Sequence, residues 1–374
     1  MREAAFSAIL SAMTMQALFA RSQTHVPFSG TAAFDEPMSR HTTFNIGGPA
    51  DLYLRPDAAC FVSFVTALLR LARAQAVPVF ILGGGANLLV SDAGIRGVVL
   101  DTGSWIGACT ESETLEGGSL PLAPVRSPVD RSAPEGASPS PFVWPSATPS
   151  PRGSAPKTPL GPPAGNAVHV KFRSGTRTDD AVRWAAAYSF SGLEDFAGLP
   201  GTIGGAVWMN ARCYEHAVSD ILVGTTFLDE CLERVTAPTD PAAFAYKKSP
   251  FQGRKTVILE AVFSLRPGEP ALVADKTAAR RAERAAKGHF RYPSAGSIFK
   301  NNRDFGKPTG KIIEELGLRG FRSGGAQIAP WHGNFIINTG GATADDVRRL
   351  ITLTEEKAFQ TFGFKLEREV IYVG

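Results

Sequence analysis

The sequence predicts an α/β (α+β) protein made of two successive α/β lobes and a third, C-terminal α/β domain. Apolar residues at helical spacing precede an apolar run of buried-strand length, Val79–Leu82, and that run ends in three glycines. A second helical pattern precedes a second glycine-rich turn at residues 199–206, and further apolar runs follow it. The last part of the chain begins with a long charged helical pattern, which marks the start of the third domain.

The two glycine-rich loops are the first candidate site. Gly83–Gly85 follow the strand together with Ala86 and Asn87, and their backbone N–H groups have no side chains in the way. Such a loop can surround an anion, above all a diphosphate. The dinucleotide fingerprint does not fit, because Leu88 occupies the position of its third glycine. Either loop alone is compatible with a plain tight turn, but two loops of similar character favour a ligand.

Composition excludes several classes of protein. The chain has 374 residues, of which 44% are hydrophobic and 20% charged, as in a soluble globular protein of two or three domains. The net charge of +4 is mild, and the absence of a lysine or arginine run argues against nucleic-acid binding. The four cysteines are scattered, and the C-x-x-H spacing of Cys213 and His216 has no second pair, so we predict no metal site. This cysteine usage favours a reducing compartment, the cytoplasm.

The first lobe is expected at residues 30–102, after an N-terminal tail at residues 1–29. The first 20 residues make a poor signal peptide and are too short and polar to span a membrane, so we expect the tail to be dispensable, with Met13 or Met15 as possible starts. Residues 41–54 have the pattern strand, glycine turn, strand. Asp57 is the predicted cap of a helix with one apolar face, which comprises Phe61, Phe64, Val65, Leu68 and Leu69.

Residues 103–166 are predicted to be an insertion. Between Ser112 and Asn166 lie 13 of the 27 prolines, many serines and glycines, and few aliphatic residues. Such a segment cannot bury enough apolar area to offset the entropy lost on ordering, so we predict disorder. Its ends, near Thr110 and Ala167, are expected to lie close together.

The second lobe is expected at residues 167–268 and the third domain at residues 269–374. The second lobe comprises a strand at 167–172, a helix capped by Thr178 with Trp184, Ala185 and Tyr188 on one face, the second glycine-rich turn, and strands at 221–228 and 257–265. The third domain comprises a helix at 271–287, a helical segment at 311–316, and a helix that starts at a Thr343–Asp346 capping box and ends before Gly363. A final strand is predicted at residues 364–373.

Eight blocks of the sequence together resemble the UDP-N-acetylenolpyruvoylglucosamine reductase (MurB) family of flavoenzymes. They occur in the family's order and cover nearly the whole chain outside the tail and the insertion. The run YPSAGS, which begins at Tyr292, is similar to the form of the family with the shorter substrate domain. The blocks are residues 41–48, 82–101, 192–210, 246–251, 292–301, 310–320, 324–338 and 366–370.

This resemblance implies a two-lobed FAD-binding fold of the PCMH/vanillyl-alcohol-oxidase type with a third domain for substrate. It implies FAD as cofactor, NADPH as reductant, and reduction of the enolpyruvyl ether of UDP-N-acetylglucosamine to UDP-N-acetylmuramate in peptidoglycan precursor synthesis. The assignment of NADPH as reductant rests on the resemblance alone, since no 2′-phosphate pocket can be recognised in the sequence. The residues expected to bind FAD are those of the two loops: Gly83, Gly84, Gly85, Ala86, Asn87, Leu88, Gly201, Thr202, Gly204 and Gly205.

The resemblance also assigns catalytic roles to two residues. Hydride addition to the enolpyruvyl group builds negative charge on its carboxylate, so the site needs positive charge there and an acid to protonate C2. Ser297 matches the family's proton donor, whereas without the resemblance the pattern favours a plain turn residue after Gly296. Glu369 matches the family's catalytic glutamate, whereas on strand alternation alone Glu367 and Glu369 would share a solvated face.

Several positions depart from the family's pattern. The family has a Tyr-Arg-x-Ser motif whose arginine polarises the substrate carboxylate. In this sequence Lys247, which follows Tyr246, takes the place of that arginine. The alternative interpretation is a solvated Lys247–Lys248 pair. Asn301 matches a family asparagine that contacts substrate, and Lys300 beside it is either a phosphate contact or plain surface. The proline that usually follows that asparagine is replaced by Asn302, and the arginine that the family usually has at position 371 is replaced by Ile371.

Two other functions remain as alternatives. One is an FAD-dependent oxidase of the same fold, but such enzymes commonly tether the flavin through a first-lobe histidine, and His41 lies before the glycine turn. The other is a catalytically silent paralogue in wall assembly, to which Lys247, Ile371 and the insertion point. Under the main hypothesis the partner is a small UDP-sugar rather than nucleic acid or membrane, and the sequence gives no oligomeric state.

Overall fold

The computed structural model describes residues 15–110 and 167–374. The helices are α1 (15–25), α2 (Phe61–Ala74), α3 (Thr178–Ala187), α4 (Ile203–Met209), α5 (Pro270–Ala286), α6 (Thr309–Glu315) and α7 (Ala344–Phe362). The strands up to the insertion are β1 (Gly30–Pro37), β2 (Pro49–Pro56), β3 (Val79–Leu82), β4 (Leu88–Val90), β5 (Ile95–Asp101) and β6 (Ala108–Thr110). The later strands are β7 (Val168–Arg173), β8 (Phe190–Ser191), β9 (Arg212–Cys213), β10 (His216–Ala217), β11 (Leu222–Leu228), β12 (Arg234–Pro238), β13 (Val257–Pro267), β14 (Ser294–Ser297), β15 (Arg322–Ser323), β16 (Ala326–Ile328), β17 (Phe335–Asn338) and β18 (Ile371–Val373).

The first lobe is built on a four-stranded sheet of order β1-β2-β5-β3. The predicted apolar face of α2 is confirmed, since all five of its predicted residues are buried. The expectation of a dispensable tail is wrong for residues 15–25, because Met15 and Leu18 of α1 are buried in the same core cluster as Phe64 and Leu68. Residues 1–14 lie outside the described part of the chain.

Two local predictions in the first lobe are wrong. The first strand is β1, which pairs antiparallel with β2, and not residues 41–46, which form a loop. Phe44 and Ile46 alternate with polar residues as in a strand, and both side chains are buried. The backbone between them is nevertheless irregular, since Asn45 has φ +53°. The helix α2 is capped at Cys60 and not at Asp57, because the Asp57 carboxylate accepts a hydrogen bond from the Ser29 hydroxyl instead.

The second lobe has a five-strand path, β12-β11-β13-β7-β6, with β8 paired to the end of β13. Its core packs around Phe172, Phe196 and Phe263, all fully buried. Thr178 is the first residue of α3 and Arg177 is its N-cap, so that predicted cap is off by one position. Tyr188 follows the helix and is 57% exposed, because it lies past the end of the buried face.

The insertion interrupts an antiparallel strand pair of the second lobe. The predicted start of the insertion at residue 103 is wrong, because Trp105 is buried and residues 108–110 form strand β6. That strand pairs with β7 in a register that places Thr110 opposite Val170. The two ends of the insertion therefore lie close together, as predicted. The prediction of disorder falls on residues 112–166, which are outside the described residues.

The third domain is a four-stranded sheet, β14-β17-β16-β15, with a core shared with α6 and α7. The capping box of α7 is confirmed: the Thr343 hydroxyl accepts from the Asp346 N–H at 3.1 Å, and the Asp346 carboxylate accepts from the Thr343 N–H at 3.2 Å. Gly363 ends the helix with φ +71°, a left-handed conformation that glycine adopts readily.

The predicted final strand at 364–373 is wrong in extent and in partner. Only β18 is a strand, and it pairs parallel with β4 of the first lobe. Before it, the backbone N–H groups of Glu369 and Val370 both donate to the carbonyl of Ile298, at 2.7 and 3.2 Å. The chain thus passes the end of β14 and returns to the first lobe. Among the described residues, no helix is long and apolar enough to cross a membrane.

Candidate active site

The two glycine-rich loops lie against each other. A Cβ atom added to Gly84 would lie 2.5 Å from the Cα of Gly201, and one added to Gly83 would lie 2.8 Å from the Thr202 hydroxyl oxygen. Real Cβ contacts are longer, so the loops from the two lobes meet backbone to backbone with no room for a methyl group. The result is a cradle lined by main-chain groups. This fits the diphosphate of a dinucleotide such as FAD, which N–H donors free of side chains can surround.

The first loop is also linked to the third domain. Gly85 has φ +60° and packs on the carbonyl of His41, which leaves no space for a side chain. Its own carbonyl accepts from the Thr43 N–H at 3.1 Å. Thr43 in turn exchanges bonds with Ser294 at the start of β14: the Thr43 hydroxyl donates to the Ser294 carbonyl at 2.8 Å, and the Ser294 N–H donates back at 3.0 Å. The residues that precede Ser297 are therefore fixed relative to the cradle.

The second loop begins α4, and the far end of this short helix holds another segment of the site. Thr202 is the N-cap of α4, and its hydroxyl accepts from the Gly205 N–H at 3.4 Å. At the other end, the carbonyl of Trp208 accepts from the Ser249 hydroxyl at 2.6 Å and from the Gln252 amide at 3.0 Å. The loop that carries Lys247 is thus anchored to the helix that carries the second glycine turn.

Lys247 and Glu369 form a largely buried ion pair. The Lys247 ammonium lies 2.5 Å from a Glu369 carboxylate oxygen, and the two side chains are only 13% and 11% exposed. Lys247 adopts φ +57°, a left-handed conformation that is uncommon for a lysine. The alternative of a solvated lysine pair therefore holds for the exposed Lys248 and not for Lys247. Glu367 is exposed, as expected of a solvated position.

Ser297 lies one residue before the contact between the end of β14 and the Glu369 backbone. It ends β14, and the next carbonyl along the chain, that of Ile298, accepts the Glu369 N–H at 2.7 Å. The preceding Gly296 has φ +74°, and a Cβ added there would meet nothing within 4 Å, so open space adjoins the serine. The backbone next to Ser297 is therefore hydrogen-bonded to the backbone of Glu369, whose carboxylate pairs with Lys247.

The three residues predicted to contact substrate have protein partners. The Asn301 N–H donates to the Tyr246 hydroxyl at 3.4 Å, and both residues are exposed. The Asn301 side-chain carbonyl accepts from the Thr309 N–H at 2.9 Å, at the start of α6. Lys300 is paired with Glu367. Substrate contact by these residues stays a prediction.

The sequence did not reveal a cluster of cations around the ring of Tyr214. Each of these cations also has an acidic partner, since Arg280 pairs with Asp195 at 2.7 Å and Lys287 pairs with Glu283 at 2.5 Å. The guanidinium carbon of Arg280 lies 4.0 Å from the ring centroid of Tyr214, and the Lys287 ammonium lies 5.6 Å from it. Burial and the neighbouring Glu283 raise the pKa of Tyr214 to about 12, so the phenol stays neutral. Cys213 lies in range of both Arg284 and Lys247, although burial, which outweighs them, raises the pKa of its thiol. The only signal in the sequence was the density of arginine and lysine along α5.

The chain is similar to one family of known proteins. A family model described as UDP-N-acetylenolpyruvoylglucosamine reductase, C-terminal domain, matches residues 288–373. The UDP-N-acetylenolpyruvoylglucosamine reductase of Treponema denticola is 36% identical over 359 residues, which cover 92% of this chain and 94% of that protein. The same enzyme from a Synechococcus strain is 35% identical over 347 residues, 92% of each chain.

A solved structure has the same fold. The crystal structure of UDP-N-acetylenolpyruvylglucosamine reductase (MurB) from Thermus caldophilus is matched with a TM-score of 0.64 at 24% identity, over 93% of this chain and 100% of that one. The predicted fold class, a two-lobed flavin-binding fold with a third domain, is confirmed.

Proposed function

This chain belongs to the UDP-N-acetylenolpyruvoylglucosamine reductase family, and from that premise we propose that it reduces the enolpyruvyl ether of UDP-N-acetylglucosamine to UDP-N-acetylmuramate with NADPH and FAD. The reaction is a step in peptidoglycan precursor synthesis. One observation supports the assignment of the site: Lys247 and Glu369 form a largely buried ion pair, and the Glu369 backbone is hydrogen-bonded to the residue that follows Ser297.

The cofactor's diphosphate is assigned to the two glycine-rich loops. The backbone of Gly83–Asn87 supplies donors from the first lobe. In the second loop the N–H groups of residues 203–205 donate within the protein, so Gly201 and Thr202 are the donors proposed there. The close approach of Gly84 to Gly201 supports this assignment, because a Cβ at Gly84 would collide with the Gly201 backbone and the φ of +103° at Gly201 itself favours glycine. FAD held by these residues would supply the hydride-transfer chemistry that links NADPH to C3 of the enolpyruvyl ether.

Ser297 is proposed to donate the proton at C2. Hydride addition at C3 leaves an enolate-like substrate whose charge is shared with the carboxylate, and C2 must then be protonated. A serine hydroxyl is a weak acid, but the enolate is strongly basic and the proton moves along one hydrogen bond. The open space next to Gly296 supports this role, because the substrate can approach the serine there.

Lys247 is proposed to stabilise the charge that develops on the substrate carboxylate. Its ammonium is largely withdrawn from water, where an electrostatic interaction is stronger than at the surface. Glu369 holds the ammonium in place in the absence of substrate. A substrate carboxylate then shares or takes over the ion pair, and the lysine supplies a point charge in place of the family's planar arginine.

For the substrate's diphosphate we propose the cation cluster around Tyr214, where a phosphate would compete with Asp195 and Glu283 for Arg280 and Lys287. Arg280 and Lys287 flank that ring, and Lys300, Asn301 and Tyr246 stay candidates for further contacts. We further propose the cytoplasm as the place of action, because UDP-sugars and NADPH are cytoplasmic metabolites.

An anaerobic absorbance experiment on the purified full chain tests this function. We expect a bound flavin spectrum that bleaches with NADPH and recovers when the enolpyruvyl ether of UDP-N-acetylglucosamine is added. An oxidase of the same fold would instead regain its spectrum with oxygen and ignore the UDP-sugar. A silent paralogue would bind flavin, if at all, without recovery on substrate. Either outcome contradicts the proposal.

A further inference from the structure

Two side-chain amides hold the backbone of the two members of the ion pair. The Asn87 amide donates to the carbonyl of Glu369 at 2.9 Å. The Gln252 amide donates to the carbonyl of Lys247 at 3.2 Å, and also to that of Trp208 at 3.0 Å. Each charged residue therefore has its main chain held by a neutral side chain, that of Asn87 from a distant segment for Glu369 and that of Gln252 from the same loop for Lys247.

The two amides contact the same side chain. The amide nitrogens of Asn87 and Gln252 lie 3.8 and 4.0 Å from the sulphur of Met209, the last residue of α4. A thioether is a weak hydrogen-bond acceptor that adapts to both neighbours. Met209 thus joins Asn87 and Gln252, the two residues that hold the backbone of Glu369 and Lys247.

The ion pair depends on such support more than an arginine pair would. A lysine ammonium is a point charge on a flexible four-carbon chain and lacks the planar fork that gives an arginine its direction. Here the direction must come from the backbone, and Lys247 has φ +57°. The hydrogen bond from Gln252 to the Lys247 carbonyl holds that peptide in its uncommon conformation.

We propose that Asn87 and Gln252 are positioning residues for the reduction of substrate, acting through Glu369 and Lys247. The inference rests on the proposed function of that ion pair. Asn87 also belongs to the first glycine loop, so one side chain links the cradle to Glu369, and its carbonyl further accepts the N–H of Ile371 at 3.0 Å. The carboxylate is thereby placed with respect to the cofactor site.

The test compares the two half-reactions in the flavin-loaded full chain by stopped flow. Gln252→Leu keeps the size of the side chain and removes the donor. We expect flavin reduction by NADPH at near the parent rate and reoxidation by substrate slowed by about 10- to 100-fold, the range that a small misplacement of a reacting group produces. The matched control is Gln327→Leu, which removes a similar bond, 2.9 Å to the Gly320 carbonyl, on β16 in the third domain. It should leave both half-reactions unchanged.

A double variant separates positioning from general damage. If Gln252 acts through Lys247, then Gln252→Leu should add almost nothing to the defect of Lys247→Met. An equal loss in both backgrounds, or equal slowing of both half-reactions, would overturn the inference. Lys247→Met is measured first: normal turnover in that variant refutes the proposed role of the ion pair itself, whereas a slow Lys247→Met with an additive Gln252→Leu refutes only the positioning role.

The variant Asn87→Ala tests the other positioning residue. Molecules that retain flavin should again reduce it with NADPH near the parent rate and reoxidise it about tenfold more slowly, because Glu369 has lost its anchor. If both half-reactions fall together, Asn87 acts on the cofactor alone and its positioning role is refuted.

Discussion

Removing the charge of Lys247 probes both the stability and the chemistry of the site. Lys247→Met keeps the length of the side chain and, as another non-glycine residue, keeps the cost of φ +57°. The substitution therefore isolates the charge. It leaves the Glu369 carboxylate, 11% exposed, without the cation that lies 2.5 Å away.

The size of the effect follows from that geometry. Two unit charges 2.5 Å apart attract by about 7 kcal/mol at an effective dielectric constant of about 20, and the cost of desolvating both groups offsets much of this. Losing one partner of a buried pair typically costs about 3–5 kcal/mol. Because each side chain retains about a tenth of its exposure, we expect the lower end, about 3 kcal/mol.

Urea unfolding and half-reaction kinetics measure the two consequences. We expect a lower midpoint for Lys247→Met and substrate reduction slowed by about 10²–10³-fold, as for the loss of one group that stabilises developing charge. The double variant Lys247→Met/Glu369→Gln should regain most of the stability but none of the rate, because no buried charge is left unpaired. Lys247→Arg should retain or improve activity, since it restores a two-pronged donor. Normal turnover in Lys247→Met would refute the reasoning and direct the search to Arg291 or Lys300.

Three further changes test the rest of the structure. Gly84→Ala places a methyl group 2.5 Å from Gly201, so we expect the loops to separate and FAD affinity, measured by fluorescence titration, to fall by about 1–3 kcal/mol. Unaltered FAD affinity would show that the contact between the two loops is not part of the cofactor site. Leu18→Ala empties a fully buried position of α1 and should cost about 2–5 kcal/mol in urea unfolding, whereas a dispensable tail would show no change. Replacing residues 112–166 by a short Gly/Ser turn should change stability little, since loop-closure entropy varies slowly with length and Thr110 already lies opposite Val170; loss of flavin binding would contradict this.

Features that depend only on residues close together in the chain were predictable from the sequence. The capping box at Thr343 needs only two side chains three residues apart, and the glycine loops need only the absence of side chains. Asp57 failed as a cap because its carboxylate was already engaged by Ser29, a partner 28 residues earlier that no helix-start pattern reveals. Phe44 and Ile46 alternated like strand residues although a loop buries them.

Features of the site that join distant segments were not predictable from one sequence. Lys247 and Glu369 are separated by 122 positions, and the resemblance gave their identities but not their pairing. The role of Asn87 is visible only because β18 returns to β4 and brings the Glu369 carbonyl within reach of its amide. Nothing in the alternation of residues 364–373 indicates that the strand leaves the third domain.

The proton donor can be tested by separating the two half-reactions of a Ser297→Ala variant. If Ser297 protonates C2, it takes no part in hydride transfer from NADPH, so the variant should bind FAD, show an ordinary oxidised spectrum and bleach at near the parent rate. Reoxidation by the enolpyruvyl substrate should then be slowed by about 10²–10⁴-fold, the usual cost of losing a positioned acid. Ser297→Cys should recover part of that rate, because a thiol can also donate. Unimpaired reoxidation in Ser297→Ala would reduce the serine to a turn residue, and slow bleaching with NADPH would place it in the flavin or nicotinamide pocket; either result contradicts the mechanism.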